Sequence, residues 1–262
     1  MNLFKSELRK VLYTKTFRLS ILGATFISLL SSIPSPYITQ QAGGLIQNAS
    51  FMNPEIINGL YSKALAGYLF SAIFGVILMA GEFKEMTAVR TFLASPKRIH
   101  VVYSKLVIAV LGGAIIMLIS TTLGAVGAYF ALKHYPHTAP TSSMLPTLLG
   151  DALLTGASIG VLGLAVGTLI RNQNIAVTGT IIYLYIVERM IVLFWSTGGK
   201  WLPSGLLTAM MNVNVKISSK IGGFNYDPSN YLKPTYAAML LVGYSVIAGA
   251  IAIKVSLSRD ID

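Results

Sequence analysis

The chain has 262 residues, of which 54% are hydrophobic and 11% charged, with a formal net charge of +11 and no cysteine. Soluble domains carry about a quarter charged residues, so this composition excludes a soluble fold for most of the chain. The missing cysteines exclude disulfides, thiol nucleophiles and thiolate metal sites, and a mean hydropathy of +0.68 makes hydrocarbon the expected solvent.

In chain order, the first predicted element is amphipathic. Phe4, Leu8, Val11 and Leu12 recur at helical spacing while Lys5, Glu7, Arg9 and Lys10 take the other side, which predicts a helix within residues 1–18 lying in the membrane interface. Six apolar runs come next, at roughly 19–38, 59–80, 106–131, 148–170, 175–195 and 236–253. Each meets the roughly 20 residues a helix needs to cross about 30 Å of hydrocarbon. Only helices and closed barrels satisfy their backbone in lipid, and runs without period-2 alternation are not barrel strands. The expected fold class is therefore all-α, a polytopic protein with six transmembrane helices forming one domain over residues 1–262. The first run lacks a small-residue cleavage site and reads as a retained span.

Between the second and third runs lies residues 81–105. Phe83, Met86, Val89 and Leu93 fall on one helical arc with Glu82, Lys84, Glu85 and Arg90 around it, and Ser95 and Pro96 read as an N-cap and first helical position. A short helix of that character suits docking on a partner. Residues 133–147 form a connector broken by three prolines, residues 171–174 a tight turn making a hairpin of the fourth and fifth runs, and residues 196–235 the longest remaining segment.

Lysine and arginine placement orients the whole. Thirteen fall in the N-terminal segment, the 81–105 loop, the 171–174 turn and the C-terminus, against six in the other loops, so both termini are expected in the cytoplasm. Interfacial tyrosines and tryptophans fit this layout, among them Tyr13, Tyr103, Trp195 and Trp201. Because the basic residues are spread over four segments, no nucleic-acid footprint is expected, and anionic lipid accounts for the net charge.

Asp151, Glu188 and Arg189 are the ionisable residues inside confident spans. Counting outward from the 171–174 turn at about 1.5 Å per residue puts Asp151 and Arg189 within roughly 7 Å of the same height, so an intramembrane pair between them is expected. Adjacent helical residues point about 100° apart, which would leave Glu188 to face elsewhere, either toward another polar group or into a transport pathway.

Catalytic and metal sites find little support. His100, His134 and His137 are the only histidines, and the last two lie in a proline-broken loop with no third ligand near in sequence. Ser204 beside Gly205 has no base and reads as a turn. Gly199-Lys200 is followed by Trp201, so no phosphate-binding loop is present, and Asn48-Ala49-Ser50 is a glycosylation sequon only where the cell modifies such loops.

The chain resembles the ABC type-2 permeases, the membrane subunits of one class of ATP-binding-cassette exporters. The resemblance rests on Gly81-Glu82 closing the second run, Thr87, Phe92-Leu93, Ser95-Pro96-Lys97-Arg98 and Lys105, with Met86 where the family usually has glycine and Phe92 in place of a leucine. Ser6-Glu7-Leu8-Arg9-Lys10, Leu202-Pro203 and Arg259-Asp260 extend it along the chain. It implies a coupling helix within 81–105 whose Glu82, Phe83, Met86, Val89, Arg90 and Leu93 contact a separate ATPase subunit, where ATP and magnesium would bind. It further implies a second permease copy or a related permease as partner, and a re-entrant element mapping to Leu202 to Met211. The expected function is thus the permease subunit of an exporter in the plasma membrane of a prokaryotic cell, with no catalytic residue, cofactor or metal of its own. An ATP-independent transporter or channel is the alternative, and an intramembrane enzyme ranks below both.

Overall fold

The computed structural model describes residues 2–41, 54–84, 98–133, 135, 140–170, 172–211 and 232–258. Among them there is no strand, and six helical stretches are long and apolar enough to cross a membrane: Lys15–Gln40, Ile56–Lys84, Ile99–Leu132, Met144–Leu169, Gln173–Val192 and Pro234–Ser256. The expectation of an all-α polytopic protein therefore holds.

Helix α1, Asn2–Tyr13, precedes the first span. That span is α2, Lys15–Ser32, followed by α3, Ser35–Gln41. The break falls at Pro34, whose missing N–H cannot continue the ladder. The second span is also composite. Helix α4, Pro54–Ser62, passes through a 3-10 segment, Lys63–Gly67, into α5, Tyr68–Lys84. Gly67 faces the backbone of Ala24, with which a side chain would collide, so the tightened segment sits where the second span lies closest to the first.

The third span is one helix, α6, Arg98–Leu132. At 35 residues it is about 52 Å long, well beyond the hydrocarbon thickness, and its first turns are packed, Val101 and Val102 being buried with Met79, Leu164 and Ala252. The fourth is α7, Met144–Leu169, where Pro146 is harmless because a first-turn N–H has no helical partner. At the turn into the fifth span, Asn172 Oδ1 accepts from the N–H groups of Asn174 and Ile175, at 3.0 and 3.3 Å. This caps α8, Gln173–Ile182. The fifth span continues as a π-helical stretch, Tyr183–Val187, and as α9, Glu188–Phe194. Short helices α10, Ser196–Gly199, and α11, Pro203–Met210, come after it, and α12, Pro234–Ser258, is the sixth span.

The fourth span is the hub, packing against the second, third and sixth. Its buried share is 67%, equal to that of the second and far above the 22% of the fifth. Lipid tails offer no hydrophobic drive between helices, so close approach must come from small residues. Gly156 and Gly160 of α7 meet Gly113 and Ala109 of α6, while Gly163 and Gly167 meet Ala72 and Val76 of α5, and Gly75 meets Gly160. At each, a Cβ would run into the facing backbone. The buried Ser71 hydroxyl adds a hydrogen bond to the carbonyl of Gly113 at 3.2 Å, tying the second span to the third.

Candidate functional site

Helix α1, Lys84, the start of α6 and the end of α12 share one end of the bundle, and their lysines and arginines make it the basic end. Here α1 packs on α6, and Val11, 7% exposed, joins Phe17, Phe74, Ile108 and Ile116 in one apolar cluster. The buried face of the helix is thus set by Val11, while Leu12 stays 46% exposed.

Glu82, two residues from the end of α5, accepts from two lysines at this corner. Its Oε1 lies 2.7 Å from Lys105 Nζ on α6 and 3.2 Å from Lys10 Nζ on α1. Lys105 is fully buried and also reaches the carbonyl of Leu78 at 3.5 Å. Two cations sharing one carboxylate compensate its desolvation better than one would, and the cluster joins three elements distant in sequence. Glu82, which the resemblance placed at an ATPase contact, has its carboxylate held by Lys105 and Lys10 of its own chain. Lys10, on the polar side of α1, reaches Glu82 while its side chain stays 44% exposed. Phe83 packs in part against the cluster formed by Met79, Val101 and Val102. Met86, Val89, Arg90 and Leu93, with the Ser95–Pro96 cap, lie outside the described residues.

Opposite charges at the same end of neighbouring antiparallel helices were the available signal for this cluster. Lys105 lies about two turns inside α6, the depth at which it meets Glu82. Ending the second run at Ala80 and beginning the third at Leu106 leaves both residues in a loop, which hides the pairing.

At the far end, the expected Asp151 to Arg189 pair does not form: no ion pair joins them among the described residues. Arg189 lies instead beside Tyr68, near Lys63 and Tyr185. Two features explain the miss. Beyond the turn the fifth span packs more on the second span than on the fourth, and Tyr68 and Tyr185 stack at 6.4 Å between ring centroids. The π-helical stretch just before Glu188 also adds a residue to one turn, which rotates α9 by about 100° from where a regular helix would aim it.

Glu188 is fully buried, and its Oε2 accepts the backbone N–H of Ser204 at 2.7 Å. Ser204 is the second residue of α11, so a carboxylate sits at the positive end of that helix. Pro203 at the first position has no N–H to satisfy. Of the two expectations for Glu188, a polar partner is the one this contact matches, since the side chain serves a local cap. Helix α11 packs against α12 and α9, and buries Leu206 and Leu207 in the same core as Tyr61, Leu65, Leu148 and Leu241. The Tyr244 hydroxyl donates to the carbonyl of Trp201 at 3.1 Å, fixing the approach to α11 from the sixth span. A short helix is present over Pro203–Met210, within the Leu202 to Met211 stretch where a re-entrant element was expected. Residues 212–231 lie outside the described residues.

No protein-family model matches this chain, and no curated protein sequence matches it either.

Proposed function

We propose that this chain is the membrane permease subunit of an ATP-driven exporter, with ATP hydrolysed on a separate ATP-binding-cassette subunit and a second permease copy completing the pathway. The observation that carries this reading is the Glu82, Lys105 and Lys10 cluster. It makes α1 and the basic ends of the second and third spans one mechanical unit, and residues 85–97 connect those two spans. A force applied to that loop by a nucleotide-driven partner would reach α5 and α6 directly, and α7 through their glycine contacts. The capped helix α11 supports the same reading, as a plug returned into the far end of the bundle, where an outward-opening exit would lie. The charge distribution supports a plasma-membrane location with both termini in the cytoplasm.

The test uses the absence of cysteine in the chain. Single variants Met86→Cys and Leu93→Cys provide unique thiols in the loop. Co-expressed with a candidate ATP-binding-cassette ATPase, they should crosslink to it, and Lys133→Cys at the far end should not. Transport that persists without any copurifying ATPase would favour an ATP-independent transporter.

A further inference from the structure

At the basic end, between α1 and the second span, lies a cavity of about 210 Å³. Among the described residues, Lys10, Lys84 and Lys105 line it together with one carboxylate, Glu82. Glu82 is engaged by Lys105 and Lys10, and the described lining carries three ammonium groups to one carboxylate. Lys10 remains 44% exposed at its side chain, and Lys84 is exposed as well. Val11, Phe74, Ile77 and Leu78 supply the apolar part of the wall, and Thr14, Thr16 and Gln173 the polar part.

A cationic rim together with an apolar stretch of wall, at the edge of the hydrocarbon, matches one chemistry best. A phosphodiester would meet Lys10 and Lys84, and the acyl chains attached to it would continue along the apolar wall. A soluble phosphate would use the rim and leave that wall wet. We propose that this cavity holds the headgroup of an anionic phospholipid, which would pack α1 against the second span. The inference concerns lipid alone and does not depend on the exporter reading.

The experiment uses the full-length chain purified in detergent, with retained lipid measured by native mass spectrometry after adding phosphatidylglycerol or phosphatidylcholine at equal concentration. Wild type should retain phosphatidylglycerol in preference. A juxtamembrane lysine contributes about 1 kcal/mol toward anionic lipid, so Lys84→Gln should weaken retention roughly fivefold and Lys10→Gln with Lys84→Gln roughly 25-fold. Lys84→Gln leaves the Glu82 cluster whole, so its effect is separable from loss of fold. The control Lys15→Gln with Lys254→Gln removes two exposed charges that do not line the cavity, and should retain lipid as wild type does. Equal retention of the two lipids, an unchanged Lys84→Gln, or an equal loss in the control would each overturn the site. Displacement of phosphatidylglycerol by an equal concentration of inorganic phosphate would overturn the lipid assignment in favour of a soluble anion.

Discussion

Two carboxylates decide most of what the ionisable residues do here. Glu82 joins three elements, so Glu82→Gln should destabilise the protein by about 3 kcal/mol, since it strips the fully buried Lys105 of its counter-charge. Pairing that change with Lys105→Met in a double-mutant cycle should recover part of the loss, with a coupling of about 1–3 kcal/mol. Strictly additive shifts in thermal unfolding would show that the pair is not a unit. Glu188 acts through an accepted hydrogen bond and its position at the helix start. A glutamine keeps the acceptor, whereas alanine removes it and leaves the Ser204 N–H buried without a partner. Glu188→Gln should therefore be mild, and Glu188→Ala should cost about 1–2 kcal/mol. If the two variants unfold at the same temperature, the cap is not what holds α11.

Helix α7 shows how a membrane bundle can be held by what its side chains lack. Gly160 has the backbone of Ala109 on one side and contacts both Gly75 and Gly113, whereas Gly150, Gly179 and Gly243 have open space where a Cβ would go. Alanine at the two kinds of position should move stability in opposite directions. Gly160→Ala forces the helices apart and should cost about 1–3 kcal/mol. Gly179→Ala removes only backbone freedom and should gain about 0.5–1 kcal/mol. Thermal unfolding in detergent measures both, and a shared sign would refute glycine-mediated packing. The first helix has its own test. A spin label at Val11 should be immobile and one at Leu12 mobile, because the first position is buried against the bundle and the second is half-exposed. Matching mobilities would mean that α1 is not docked.

For the whole molecule, threading determines which surfaces meet which compartment. Lys15, Lys84 and Lys254 lie at the basic end, and Lys133 and Lys200 at the other. Single cysteines at Lys254 and Lys133 should label from opposite faces of the membrane with an impermeant maleimide, Lys254 from the cytoplasmic face. Labelling of both from one face would break the six-span topology, and reversal of both would invert the orientation inferred from charge. The second and fourth spans are the most buried, at 67% each, while the first, fifth and sixth are 22–28% buried and keep broad exposed apolar faces.

The number of spans and their approximate limits were legible from the chain alone, because the cost of an unsatisfied backbone in lipid leaves a long apolar run no alternative to a helix. The same holds for the helical start and the tight turn at Asn172, each written in local chemistry, whereas the short helix after Leu202 was expected only from the resemblance. Side-chain partnerships were not legible. The Asp151 to Arg189 pair failed because heights along straight helices ignore the π-helical turn at Tyr183–Val187 and the lean of the fifth span onto the second. Glu82 looked like a surface charge while its partners lay 72 residues upstream, at Lys10, and in the next span, at Lys105. Local sequence determines where the chain must be helical, because backbone hydrogen bonding is a local requirement. Only tertiary packing decides which faces meet, since that depends on helix rotation, relative length and the close approaches that glycine permits.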